Sequence, residues 1–210
     1  MPPRGIEKAI GEYAELEMEI DGLVRRRMGP VCAACRKVCC RPEVCRQSLE
    51  SWWLRRVSRR VHGKWWPDDW QTRDGCVALT DAGCLLRAGR PTFCRSFACG
   101  RYVRAYRDVW EVVFYSFVSD LLRQTVQLTG RLDLEYMTAA QARPHAATIA
   151  ARLAAARELL AEAKRLIDPA EAEAEKHRVA LKLIVAMPAI LRHTTRQAIL
   201  SKLGGPAGSL

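Results

Sequence analysis

The chain has 210 residues, 49% of them apolar, which is enough for one domain or two small ones with a packed core. Its formal charge is +11, and no apolar run reaches the roughly 18 to 20 uninterrupted residues that a membrane-spanning helix needs, so a transmembrane helical protein is excluded. The opening Met1-Pro2-Pro3-Arg4-Gly5 lacks the continuous apolar segment of a secretory signal, and the expected location is the cytoplasm.

In chain order, Ile6, Ile10, Tyr13, Ile20 and Val24 recur at helical spacing with Glu7, Glu12, Glu15 and Glu19 between them. This predicts an amphipathic helix over residues 1–30, ending near Gly29-Pro30. Residues 31 to 46 carry five cysteines and Pro42 without helical or strand period, which predicts irregular backbone. A short basic helix is expected from Ser48 to His62, then a loop at Trp65-Trp66-Pro67-Asp68-Asp69-Trp70, where proline and the acidic pair break the period. Residues 74 to 101 have room for one small hairpin at most. After Gly100 the character changes to long helices. Tyr102 to Thr129 is apolar on several sides. Ile149, Leu153, Ala156, Leu160, Ala163 and Ile167 make one amphipathic helix, which Asp168-Pro169 ends while starting another, and a final helix precedes Gly204-Gly205-Pro206. The expected fold is therefore mainly α: an N-terminal helix (1–30), an irregular, metal-organised cysteine-rich module (31–101) and a C-terminal helical bundle (102–210).

All nine cysteines, Cys32, Cys35, Cys39, Cys40, Cys45, Cys76, Cys84, Cys94 and Cys99, fall within residues 32–99. In a reducing compartment they do not form structural disulfides, and nine at such spacings are too many for packing alone, so metal ligation is the leading explanation. Thiolates are soft donors for zinc and iron, and Cys32-Ala33-Ala34-Cys35 has the spacing with which two of them face one ion. The positive excess travels with the cysteines, since residues 1–108 hold 21 Lys/Arg against 13 Asp/Glu. A divalent ion on four thiolates carries a net charge of −2, so two such sites lower +11 to roughly +7.

Cys32-x2-Cys35-x3-Cys39-Cys40, Cys76-Val77-Ala78-Leu79 and Cys84-x5-Arg90-Pro91-Thr92-Phe93-Cys94-Arg95-x-Phe97 together resemble the YkgJ-type cysteine-cluster family, described as a zinc- or iron-chelating domain. A cysteine domain of this type also occurs in flagellin lysine N-methylases, where it is associated with an iron–sulfur cluster. The resemblance covers residues 32–97 and implies Cys32, Cys35, Cys39, Cys40, Cys76, Cys84 and Cys94 as the ligand pool, with Cys45 and Cys99 as extras. It implies zinc or iron as the cofactor, the iron as single ions or as a cluster. For Arg90 and Arg95 the functional expectation is hydrogen bonding to sulfur, which offsets the charge of the site; the plainer one is surface ion pairing.

The basic aromatic stretch Trp52 to Trp70 admits nucleic-acid binding, but tryptophans covering a small metal core with arginines laid along them is the favoured reading. His62, His145, His177 and His193 have no mutual metal-ligand spacing. No Gly-x-Gly-x-x-Gly, Walker or Gly-x-Ser-x-Gly motif supports nucleotide or hydrolase chemistry. The expected partner is thus a metal ion, with the helical region offering a seam for a protein partner.

Overall fold

The computed structural model describes residues 4–33, 42–64, 66–70, 75–80, 83–96, 104–129 and 132–186. They are mainly helical. Helix α1 (Arg4–Ala33) buries Ile6, Ile10, Tyr13 and Ile20, each at most 2% exposed, as their spacing predicts. It does not stop at Gly29-Pro30. Pro30 withholds one backbone bond, and the helix absorbs that loss close to its end and continues to Ala33.

The helix expected over 48–62 is two helices, α2 (Pro42–Glu50) and α3 (Trp52–His62). Ser51 between them is extended, and its hydroxyl accepts the Leu54 amide at 3.3 Å, an N-cap that starts α3 afresh. Pro42 opens α2 at the position where its missing N–H costs nothing. Cys45, expected in irregular chain, is consequently helical. The small hairpin is present: β1 (Leu79–Thr80) pairs antiparallel with β2 (Gly83–Cys84), Leu79 opposite Cys84. A short helix α4 (Thr92–Ser96) follows.

Within the segment expected to be helical from 102 to 129, α5 (Val109–Val126) begins where the Asp108 carboxylate accepts the Glu111 amide at 2.9 Å. Trp110, Val113, Phe114, Phe117, Val118, Leu121, Leu122 and Val126 are all at most 2% exposed, so α5 is enclosed by neighbours. A short α6 (Ala139–Ala142), started by a reciprocal Thr138–Gln141 capping box, leads towards α7 (Ala146–Lys164). Ile149, Leu153, Ala156, Leu160 and Ala163 face the core from α7, as their alternating four- and three-residue spacing predicts. Asp168 ends this run, but Pro169 does not start the next helix. The Asp168 carboxylate accepts the Ala170 amide at 2.9 Å, and the chain turns before α8 (Glu173–Ala186) begins. The helix expected before Gly204 lies outside the described residues.

Helix α7 is the hub of the packing, with α1 along one side and α5 along another, while α3 lies on α1. Helix α8 docks through Trp110, whose indole N–H donates to the Glu173 carboxylate at 3.0 and 3.1 Å and whose ring meets His177 edge-on at 4.9 Å. No helix among the described residues is long and apolar enough to cross a membrane.

The C-terminal end of α5 is closed from α7. The Arg152 guanidinium donates to the carbonyls of Gln124 (2.8 Å), Gln127 and Leu128 (2.7 Å), groups that the helix itself leaves unpaired. Arg152→Met keeps the stem and strands these acceptors. It is expected to cost about 1–3 kcal/mol, read as a lower urea midpoint with an unchanged slope; an unmoved midpoint would mean that water replaces the guanidinium.

Candidate functional site

The apolar stripe of α1 is interrupted by two carboxylates. Glu17 and Asp21 lie one turn apart and are 0% and 1% exposed. Charges so deep in a fold need partners, and apart from Arg25 on α1 itself these come from the segment following β2. Arg95 donates from Nε to Glu17 at 2.8 Å and from Nη2 to the Arg87 carbonyl at 2.7 Å. The Gly89 amide donates to the other Glu17 oxygen at 2.5 Å. Asp21 takes Nε of Arg25 at 2.6 Å and Nε of Arg87 at 3.4 Å, with Arg90 and Arg95 both at 3.8 Å. Arg25 also reaches the carbonyls of Cys84 and Leu86 at 2.8 and 3.1 Å. Burial pushes the Glu17 carboxyl up, while Arg95 and the Gly89 amide pull it down. The ion pairs of Arg90 and Arg95 are therefore not the surface pairs the sequence suggests: the Arg95 side chain is only 5% exposed.

The same segment is pressed onto α3. His62 Nε2 accepts the amides of Arg87 (3.1 Å) and Ala88 (3.4 Å), which requires a neutral ring with its proton on Nδ1. Gly89 has φ +77°, and a Cβ there would press on the Ser58 side chain and stand 2.6 Å from the Leu54 carbonyl oxygen. Only glycine fits both the conformation and the approach. Further along, the Thr92 amide donates to Glu135 at 2.8 Å, and the other Glu135 oxygen accepts from Gln47 of α2 at 3.0 Å. Glu135 floors a cleft of about 450 Å³ lined also by Glu50, Trp52, Tyr136 and Thr138. Tyr13, fully buried and edge-on to Trp53 at 5.5 Å, is held neutral by burial and by Glu17 beside it.

Beside this clamp lies a small second apolar cluster. Cys45, Ala78 and Leu86 are buried in it, with Cys76, Val77 and Cys84 packed against them. Three cysteines from α2, from the turn before β1 and from β2 thus share one cluster, although residues 45 and 84 are far apart in sequence. The Cys84 thiol points its weak donor at the Leu86 carbonyl, 3.8 Å away. Cys94 is half-buried on α4, its amide donating to the Pro91 carbonyl at 3.0 Å. Cys32 is in the last turn of α1, but its side chain, like Cys35, Cys39, Cys40 and Cys99 entirely, lies outside the described residues. Among the described residues, no three Cys, His, Asp or Glu side chains are arranged to hold a metal ion.

Trp52 and Trp53 pack in the main core rather than over the cysteine cluster. Trp53 is 0% exposed in the main core, with Trp52 tilted against it at 6.2 Å. Sequence reasoning missed Glu17, Asp21 and Glu135. The available signal was Glu17 and Asp21 falling four residues apart on the stripe that starts with Tyr13, where an amphipathic helix otherwise places apolar side chains.

Gly89→Ala is expected to cost about 2–4 kcal/mol, since it adds strain to a backbone clash. Gly75→Ala, at φ +80° but with nothing within 4 Å, is expected to cost about 1 kcal/mol. Equal losses in chemical denaturation would show that the 87–91 loop is not seated on α3 as described. Glu135 supplies a pH signature. Burial pushes its carboxyl up to about 8 against the pull of the Thr92 amide, with Asp133 and Glu17 adding to the rise. The folded chain therefore holds a proton that the unfolded chain releases near pH 4.3. The stability this provides is complete below about pH 4.3 and is lost as pH rises to about 8. Relative to wild type, Glu135→Gln should become progressively more stable across that window; a constant difference in urea midpoint would refute the assignment.

No protein-family model matches this chain, and neither a curated protein nor a solved structure shows significant similarity to it.

Proposed function

We propose that this protein binds zinc or iron through clustered cysteine thiolates, the iron as single ions or as an iron–sulfur cluster. The observation that carries the reading is the gathering of Cys45, Cys76 and Cys84 from three separate segments into one small cluster beside α1. Arg25 ties the Cys84 strand to α1, and Cys32 lies seven residues beyond Arg25, about 10 Å along the helix. Residues 34–41, with three further cysteines, connect the end of α1 to the start of α2, where Cys45 sits. The nearness of the described cluster to α1, and the short connection that carries Cys35, Cys39 and Cys40 from α1 to α2, support a shared site. The described thiols do not make a complete ligand set by themselves, and the reading assigns the remaining ligands to Cys32, Cys35, Cys39, Cys40, Cys94 and Cys99.

The resemblance of the cysteine spacing and of Arg90-Pro91-Thr92-Phe93-Cys94-Arg95 to the YkgJ-type family supports the same chemistry. A bound metal would supply the cross-links that a segment with two-residue strands and little apolar burial lacks. The residues of the chain have separate tasks. The cysteines donate as thiolates and release their protons on binding, and the Glu17–Asp21 clamp holds the 84–96 strand-and-loop segment against α1 before and after. Affinity should fall as the pH is lowered, because protons compete for sulfur.

Metal analysis and the visible spectrum of protein purified without oxygen or added metal test the proposal. Stoichiometric zinc without colour, or iron with a broad visible band, is the expected result, at least halved by Cys76→Ser combined with Cys84→Ser. Chelation should speed hydrogen exchange in residues 75–86 while α5 and α7 stay protected. Absence of metal after reconstitution with zinc and with iron and sulfide would overturn the reading.

A further inference from the structure

The guanidinium cluster on α1 carries more positive charge than the described residues answer. Four arginines, Arg25, Arg87, Arg90 and Arg95, converge on the two carboxylates of Glu17 and Asp21. Arg95 is spent on Glu17, on the Arg87 carbonyl and on burial. The other three are not. Among the described residues, the Arg87 side chain makes one contact, from Nε to Asp21 at 3.4 Å, and its two terminal nitrogens make none. Among the same residues Arg90 has only long contacts, 3.8 Å to Asp21 and 3.5 Å to the Cys94 carbonyl, and its buried Nε has no partner. Arg25 directs Nε and Nη2 inward and keeps Nη1. The side chains of Arg87, Arg25 and Arg90 are 48%, 38% and 22% exposed, so the cluster is open on one side.

Guanidinium groups held this close repel one another, and a buried N–H without an acceptor is costly. An oxyanion relieves both. We propose that Arg25, Arg87 and Arg90 form a binding site for a dianion of the phosphate class, either free phosphate or the terminal group of a phosphate ester. Two negative charges match the excess of two guanidinium groups over carboxylates, and planar forks present paired N–H donors to phosphate oxygens. Asp21 stays on the inner side of the arginines, where it fixes their spacing. At His62 burial, and after it Arg87 and Arg25 against the opposing Asp21, hold the ring below the ordinary histidine range. The site is independent of the metal reading, because none of its three residues is a thiol.

Titration of inorganic phosphate into the protein as purified, at ionic strength held constant with chloride, tests this. A saturable rise in thermal midpoint with one phosphate bound per chain by calorimetry is expected. Arg87→Gln, which removes a 3.4 Å ion pair to Asp21, should weaken phosphate binding at least tenfold by calorimetry and shrink the phosphate-induced rise measured against that variant's own phosphate-free midpoint; Arg178→Gln on α8, a salt-bridged surface arginine, should leave binding unchanged. Phenyl phosphate binding more tightly than phosphate assigns an ester as the ligand, and the reverse order assigns the free ion. A phosphate effect no larger than that of chloride, or an affinity unaltered in Arg87→Gln, overturns the proposal.

Discussion

The structure around the cysteine-bearing segments depends on two carboxylates placed where a helix would normally carry apolar side chains. Glu17 and Asp21 are buried on α1, and apart from Arg25 on the same helix their partners Arg87, Gly89, Arg90 and Arg95 belong to one stretch of nine residues. Such an arrangement is a weak source of net stability, because desolvating the ions offsets most of their attraction. Its effect is on specificity. Each alternative seating of the 87–95 segment leaves a charge buried without a partner, so the segment has one acceptable position on α1. The glycine at 89 then lets that position coincide with close contact to α3.

Beyond the clamp the protein has two apolar cores of very different size. The main one joins α1, α3, α5, α7 and α8. The second is limited to Cys45, Ala78 and Leu86 with three half-buried neighbours. A core that small cannot offset the conformational entropy of ordering its own segment, which is the regime in which small folds use cross-links, metals or electrostatic ties. The arginine ties are present. On the metal-binding proposal, the thiols beside them would supply the rest.

The helices were legible wherever a single apolar face repeats. The residues at 149, 153, 156, 160 and 163 face the core as their period requires, and the aromatic density of 109–126 corresponds to a helix enclosed by others. Boundaries set by individual hydrogen bonds were not legible. Ser51 divides one expected helix into two, and Asp168 closes a turn rather than passing the chain directly into the next helix. The nine cysteines announced themselves by number and spacing, whereas Glu17, Asp21 and Glu135 look like ordinary surface carboxylates until the arginines and amides that meet them from distant sequence are known. Their roles are tertiary: the spacing of Glu17 and Asp21 on the apolar stripe places them inward but does not name their partners, and Glu135 has no local pattern at all.

The pairing of α1 with α7 also has a consequence for synthesis. Arg157 on α7 donates to the Glu12 carbonyl at 3.1 Å across 145 residues of sequence. At the roughly 5 to 20 residues per second of translation, the apolar stripe of α1 and its two acidic residues wait on the order of ten seconds for α7 to emerge. During that interval α3 and the 84–96 segment are available and α7 is not. Helix α3 is the first native partner of α1 to emerge, and the arginines of the 87–95 stretch follow it, so both ends of the carboxylate clamp exist well before α7 is made.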